Sequence, residues 1–271
     1  MKIGVVVVTH SHDVSPLHAS VQGSAHAIRW YVHHHGGCNT VADFLRSLNT
    51  DPALKVFWHF RNRGLSRSWN EGLHVSRQDG NDITLLINDD VHFKPDAFRQ
   101  FISFVEDHGR ADLCFLFGRE ASGLVRQQGL ACCAIGHNVI DAIGYFDENY
   151  FPAYYEDVDY TYRALFSFIP IHIDERVLVF HQRNGTAKQR RWLRFILKWN
   201  GRRLRRYHVA KWGLVDGEVT TAVPFAARDA TLRIAWEERM DPYRSLNRRP
   251  ALATALRLWA DAWGRPARRE P

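Results

Sequence analysis

The stretch Ile83-Thr84-Leu85-Leu86-Ile87-Asn88-Asp89-Asp90-Val91 decides the fold of this chain. Its apolar or β-branched residues suit a strand buried on both faces. Three Asx residues then end the run. Carboxylates at the end of a buried strand are costly unless they meet a cation or a partner. In open α/β sheets, ligands gather beyond the carboxyl ends of the strands. Asx turn formation is the plainer account of an isolated Asn-Asp-Asp triplet, so its meaning depends on the surroundings.

Strands and helices alternate on both sides. Residues 3–9 read as a buried strand of Val and Ile, 26–33 as an alternating second strand, 41–48 as a helix, 54–60 as a third strand and 65–75 as a helix. Downstream, 95–108 has helical spacing, with Phe98, Phe101, Ile102 and Val105 on one face. The order predicts an α/β fold whose sheet is doubly wound and mostly parallel. Further on, strands are expected at 113–117, 130–135, 169–173 and 177–180, and helices at 140–144 and 156–168. From about residue 187 the chain turns basic and Trp-rich. It ends in an amphipathic helix over 251–263 and a frayed tail from Gly264. The expected division is 1–186 for the α/β domain and 187–271 for a basic, mainly helical extension.

Composition narrows the class. A chain of 271 residues, 45% hydrophobic, can bury a substantial core. No apolar run is long enough to span a bilayer, and Met1-Lys2 followed by Ile3 to Val8 reads as a first strand rather than a signal peptide. The four cysteines form no Cys-x-x-Cys pair, which predicts a reducing, cytoplasmic setting. Adjacent Cys132 and Cys133 read as small core residues. The net charge is +7, and residues 188–211 hold ten Lys or Arg and no acid. Such a segment can meet nucleic acid, an anionic membrane surface or a phosphorylated substrate, or be a solvated helix face. Trp192 and Trp199, seven apart, share a face that either packs on the preceding domain or offers an acceptor platform.

A second acidic cluster follows two aromatics: Tyr154-Tyr155, then Glu156-Asp157-Val158-Asp159. Acids at a helix start complement the macrodipole, but capping needs one and here there are three. The tyrosines would desolvate a carboxylate and raise its pKa, which suits a base. His181 ends the apolar run Val177 to Phe180, 24 residues after Asp157 (181 − 157), and opens a polar loop. Two acidic clusters and an imidazole point to a divalent metal beside a general base.

The ordered set resembles the family 2 glycosyltransferases of the GT-A fold over roughly residues 3–186. Val5-Val6-Val7-Val8-Thr9 is similar to that family's first strand, and Asn62-Arg63-Gly64 with Trp69-Asn70-Glu71-Gly72 to its helix entry. Leu86 to Val91 is similar to its DxD segment, and Tyr155 to Arg163 to its acceptor-side ED motif. Lys211-Trp212-Gly213 followed by Pro224-Phe225 resembles a tail of bacterial and bacteriophage members, of the rhamnosyltransferase-like or galactofuranosyltransferase-like type.

The resemblance implies a metal-dependent, inverting transfer from a nucleotide-diphosphate sugar, UDP-linked by default, to a hydroxyl of a glycan, a protein or modified DNA. Asp90, Asn88 and His181 would hold Mn²⁺ or Mg²⁺. Asp157 would be the general base, and Glu156 would orient it or the acceptor. Thr9, His10, His33, Asn62, Gly64, Asn70, Asn88 and Asp89 would line the donor site, Asp89 toward the sugar or ribose. Three features depart from the pattern, one being Thr9-His10 in place of the more usual Thr-Tyr. Asn88 stands where a carboxylate is usual, and His33-His34-His35-Gly36-Gly37-Cys38-Asn39 lacks the base-reading Asp. Those histidines with Cys38 form an alternative zinc cluster, without a second paired half. The rival functions are a nucleic-acid-binding protein using 188–211, a metal-dependent nucleotidyltransferase, and a two-carboxylate glycoside hydrolase.

Overall fold

β1 (Lys2–Thr9) is a valine-rich strand covered on both faces, and its Ile3, Val5, Val6 and Val7 are essentially unexposed. β2 (Ala27–His34) and β4 (Ile83–Asn88) flank it in parallel register, and β3 (Leu54–Trp58) lies parallel beyond β2. Burial on two sides explains why these strands do not alternate with polar residues. The computed structural model describes residues 1–10, 12–22, 26–36, 39–48, 50–108, 115–120, 130–181, 191–212, 214–215, 218–219, 232–237 and 239. For some of these, 115–120, 181 and 191–199 among them, it describes only the backbone.

The two faces carry separate cores because successive side chains point opposite ways. Val5, Val7, Leu85 and Ile87 pack with Phe98, Phe101, Ile102 and Val105 of α4 (Ala97–His108). Val6 and Leu86 pack on the other face with Trp69 and Leu73 of α3 (Leu65–Gln78), Ile140 of α5 (His137–Ile143) and Tyr160 of α6 (Glu156–Phe166). α2 (Asn39–Ser47) adds Val41 and Leu45 to the first core. Cys132 and Cys133 are both buried free thiols, as expected.

Beyond β4 the sheet becomes mixed. β7 (Cys132–Gly136) runs antiparallel to β4 and to β6 (Phe115–Glu120). β8 (Ile171–His181) runs parallel to β6, and β5 (Val91–Phe93) antiparallel to β8. The order is β3-β2-β1-β4-β7-β6-β8-β5, eight strands of which β7 and β5 oppose the rest. The mostly parallel α/β expectation holds, with two reversals that hydrophobic runs alone do not reveal.

Two expected strands, 169–173 and 177–180, are one strand, β8. Asp174 pairs with Gly118 and Leu178 with Arg119, so residues 175–177 form a bulge instead of ending the strand. Short α1 (Ser15–Ser20) and β5 were not expected. α7 (Arg191–Trp212) is formed by most of the basic segment, and β9 (Leu214–Val215) pairs with β10 (Glu218–Val219). The expected 251–263 helix and the tail lie outside the described residues.

Candidate active site

The parallel strands end at one edge, and the first acidic cluster is there. Asn88 pairs with Val8 near the end of β1. The Asp89 carboxyl lies against the Thr9 side chain and the His10 backbone. Burial, then the neighbouring Asp90 carboxylate, push Asp89 up to about 6. β5 starts immediately after Asp90, and Val91 is in direct register with His181 of β8. The sheet thus brings His181 beside the Asn88–Asp90 corner across 90 residues (181 − 91). Asn88 and Asp90 carry amide and carboxylate oxygens and His181 carries an imidazole, donor types that suit Mn²⁺ or Mg²⁺. Crowded carboxylates there also favour a cation.

The second cluster reaches the same edge through α3. Gly64, the N-cap of α3, has φ +85°, and a Cβ there would stand 2.8 Å from the Phe151 ring. Leu65 N–H donates to Pro152 O at 2.8 Å. The 151–155 loop is therefore packed against the start of α3. Tyr154 and Tyr155 both adopt left-handed backbone, φ 87° and 73°, each at a cost of roughly 1–3 kcal/mol. Consecutive strained residues here aim the first turn of α6.

Burial divides the three acids of that turn. Glu156 is buried, and its Oε2 has no hydrogen-bond partner. Burial and then Asp157 hold its pKa well above the carboxylate range, which favours the protonated form. Asp157 is half-buried. Burial raises it to about 6, against the opposing effect of backbone N–H groups such as Val158 N, 2.8 Å from Oδ1. A neutral acid beside an ionisable one is how paired carboxyls take different roles. Asp159 points elsewhere, fully buried against Arg163 and Lys211, whose charges keep it low despite the burial.

The nucleotide side differs from expectation. Thr9 is buried and donates to His12 O at 3.0 Å. Asn62 Oδ1 accepts from Gly64 N at 2.8 Å, closing its own turn. Asn70, expected to bind donor, is fully buried and faces the 146–148 segment. Its Nδ2 donates to Phe146 O and Glu148 Oε1, and its Oδ1 accepts from Phe146 N. This amide ties α3 to that segment, with no polar group left for a ligand. Asn70→Ala is expected to cost about 2–3 kcal/mol by orphaning these groups. A thermal melt should show the loss, and the folded protein should keep its affinity for nucleotide.

His33, also expected at the donor, is enclosed. It stacks on Phe57 at 4.3 Å, and its Nδ1 is 3.1 Å from His59 Nε2. Strand alternation separates His34 from His33 and His35, which both lie beside His59. His35 bonds Ser68 Oγ, while His34 Nδ1 accepts from Gly36 N, so they do not converge as a zinc cluster. Cys38 lies outside the described residues. A different group does converge: ligand atoms of His33, His59 and Glu71 lie within 4.8 Å of one another. Arg63 is already there, with Nη1 2.7 Å from Glu71 Oε2 and 3.3 Å from His59 Nδ1. A cation would have to displace that guanidinium. Burial first, then nearby positive groups, lower His33 to about 3 and His59 to about 4, so both rings are neutral. His59 and Arg63 lie in the loop between β3 and α3 and Glu71 on α3, whereas His33 comes from β2, a pairing that no local spacing announces.

The basic segment is not one solvated face. Arg202, Arg205 and Arg206 are exposed, but Lys211 is fully buried. Among the described residues, no helix is long and apolar enough to cross a membrane.

Residues 38–132 match the family model described as Glycosyl transferase family 2. No curated protein matches the sequence. Among solved structures, S. aureus TarS 1-349 aligns at TM-score 0.53 and 16% identity, over 68% of this chain and 61% of that one. The longer TarS structure aligns at 0.52 and 16%, over 67% of this chain but only 36% of its own. The mannosyltransferase PcManGT from Pyrobaculum calidifontis, in complex with GDP-Man and Mn²⁺, aligns at 0.54 and 12%, over 83% of this chain and 67% of that one. TarS 1-349 also has structures with UDP and with UDP-GlcNAc. The sequence match spans the Asn88–Asp90 corner, where the chain is similar to family 2 glycosyltransferases, and the solved structures share the sheet fold around it.

Proposed function

We propose that the protein transfers a sugar from a nucleotide-diphosphate donor, UDP-linked by default, to an acceptor hydroxyl with inversion. The observation that carries the reading is the register of Val91 with His181. It sets an imidazole-bearing position beside Asn88-Asp89-Asp90 at the carboxyl edge where Thr9 and His10 also end. Complexes of the structural relatives with UDP, UDP-GlcNAc and GDP-Man support the donor class.

Asn88, Asp90 and His181 would hold Mn²⁺ or Mg²⁺, which when bound supplies positive charge for the departing diphosphate. Asp89, Thr9 and His10 line the donor side, and Gly64 with Asn62 shapes the turn beside it. His33 acts from behind, through His59. Asp157 takes the acceptor proton as the acceptor oxygen bonds to the anomeric carbon. The bond from that carbon to the diphosphate oxygen breaks on the opposite face, and its electron pair leaves with the nucleotide. Glu156, protonated beside Asp157, orients the acceptor by donating a hydrogen bond.

A thermal-shift panel of UDP-glucose, UDP-GlcNAc, UDP-galactose, dTDP-rhamnose and GDP-mannose, each with and without Mn²⁺, tests this. One donor should stabilise the wild-type protein only when metal is present. At about 100 times its Kd, a ligand adds roughly 2.7 kcal/mol. Asp90→Ala should remove the metal-dependent part. A panel with no metal-dependent shift, or an unchanged shift in Asp90→Ala, would contradict the proposal.

A further inference from the structure

The C-terminal half of α7 grips the segment that precedes the proposed base, and it does so with buried charge. Lys211 Nζ lies 2.8 Å from Asp147 Oδ2 and 2.5 Å from Asp159 Oδ1. Trp212, also fully buried, donates Nε1–H to the same Asp159 oxygen at 2.9 Å. Tyr207 donates to Asp147 Oδ2 at 2.6 Å. Arg163 Nε donates to Asp159 Oδ2, and its Nη atoms donate to the carbonyls of Ile143 and Tyr145. Earlier on the same helix, Asn200 Nδ2 and Arg203 Nη2 both donate to Phe151 O. His208 bonds the Tyr150 hydroxyl and packs on the Tyr155 ring.

These contacts fall on Asp147, Tyr150, Phe151, Tyr155 and Asp159, which bracket Glu156 and Asp157. Within the bracket, Tyr154 and Tyr155 hold left-handed backbone that persists only where the surroundings over-determine it. The two acids Asp147 and Asp159 are balanced by Lys211 and Arg163. Buried ion pairs are poor sources of stability compared with apolar packing of equal volume, and their better-attested use is to select one register. An apolar helix could dock here in several rotations, whereas Lys211 reaches both acids in only one.

We infer that Lys211 and Trp212 are positioning residues for Glu156 and Asp157, locking the 147–155 segment and the first turn of α6 through Asp147 and Asp159. The inference rests on the assignment of Asp157 as the base. Lys211→Met strips charge from two buried acids and endangers folding. The informative set is therefore the charge-balanced pair Asp147→Asn with Lys211→Met, the single Trp212→Phe, and Lys211→Arg as the conservative variant.

The full chain is used, with Mn²⁺ and whichever of UDP-GlcNAc or GDP-mannose stabilises it more. Backbone hydrogen exchange reads peptides over 147–160 and over β1 and β4. Nucleoside diphosphate release, with water as acceptor, reads turnover. In the double variant and in Trp212→Phe, exchange over 147–160 should rise at least tenfold while β1 and β4 stay protected. Turnover should fall about tenfold with donor KM within threefold of wild type, and Lys211→Arg should restore both readouts toward wild type. Wild-type exchange over 147–160 in both variants would overturn the inference, as would faster exchange with unchanged turnover. Asp157→Asn turning over like wild type would instead overturn the base assignment, and the exchange comparison would still report whether the clamp exists.

Discussion

Asp157→Asn is expected to lower turnover by about 10²–10⁴, the range for losing a positioned general base. Donor binding should be unchanged, because the metal-dependent part of affinity is assigned to the Asn88–Asp90 corner. The same residue sets the pH response. With Asp157 raised to about 6, kcat/KM should fall tenfold per pH unit below that value, and Asp157→Asn should lack this limb. The linked stability effect has a definite sign. The folded protein holds this proton more tightly than the unfolded chain, so between pH 6 and 3.8 the group's contribution to stability rises as pH falls. At neutral pH the ionised carboxylate is therefore a cost, and Asp157→Asn should stabilise the fold by up to about 2 kcal/mol. A variant that loses donor binding and keeps turnover would refute the role.

Gly144→Ala should damage the fold more than any nearby surface change. Gly144 ends α5 at φ +73°, where an alanine is strained. A Cβ there would stand 1.8 Å from Ile234 O, a backbone atom that cannot rotate aside. Gly144 bridges Ile234, and the pairing is closed by Tyr145 N to Ile234 O at 2.9 Å and Ile234 N to Ile143 O at 3.0 Å. Ile234 in turn packs with Tyr150, Leu204 and Tyr207 beneath α7. Strain of roughly 1 kcal/mol plus two lost hydrogen bonds at about 1 kcal/mol each gives about 3 kcal/mol. That corresponds to a drop of roughly 10 °C in Tm. A drop under 2 °C would mean that 232–236 is held by something other than this bridge.

Local pattern was enough for the elements nearest the site. The run ending at Asn88, the acids opening α6 and the apolar face of α4 are each decided by neighbours within about two turns or one strand, where periodicity speaks directly. The positions of His181 and the second cluster were legible only as an ordered set, since spacing along the chain does not say which strands pair. β8 was split in two because Asp174 to Arg176 carry polar side chains, and a bulge that keeps the strand going has no distinct local signature.

The amino-acid order by itself determined an α/β sheet with acids at one strand end, acids at one helix start, and a basic, aromatic segment behind them. Tertiary structure decided what each polar side chain meets. Rotation along α6 sends Asp159 into the protein to meet Lys211 and Trp212 while Asp157 stays partly open. Strand alternation sends His33 toward His59 and away from His34. Asn70, in a stretch that reads as ligand-binding, spends its amide 76 residues away on Phe146. The physical reason is shared: short-range periodicity says which face a side chain takes, but its partner is whatever distant group the fold brings to that face, and burial then fixes its charge.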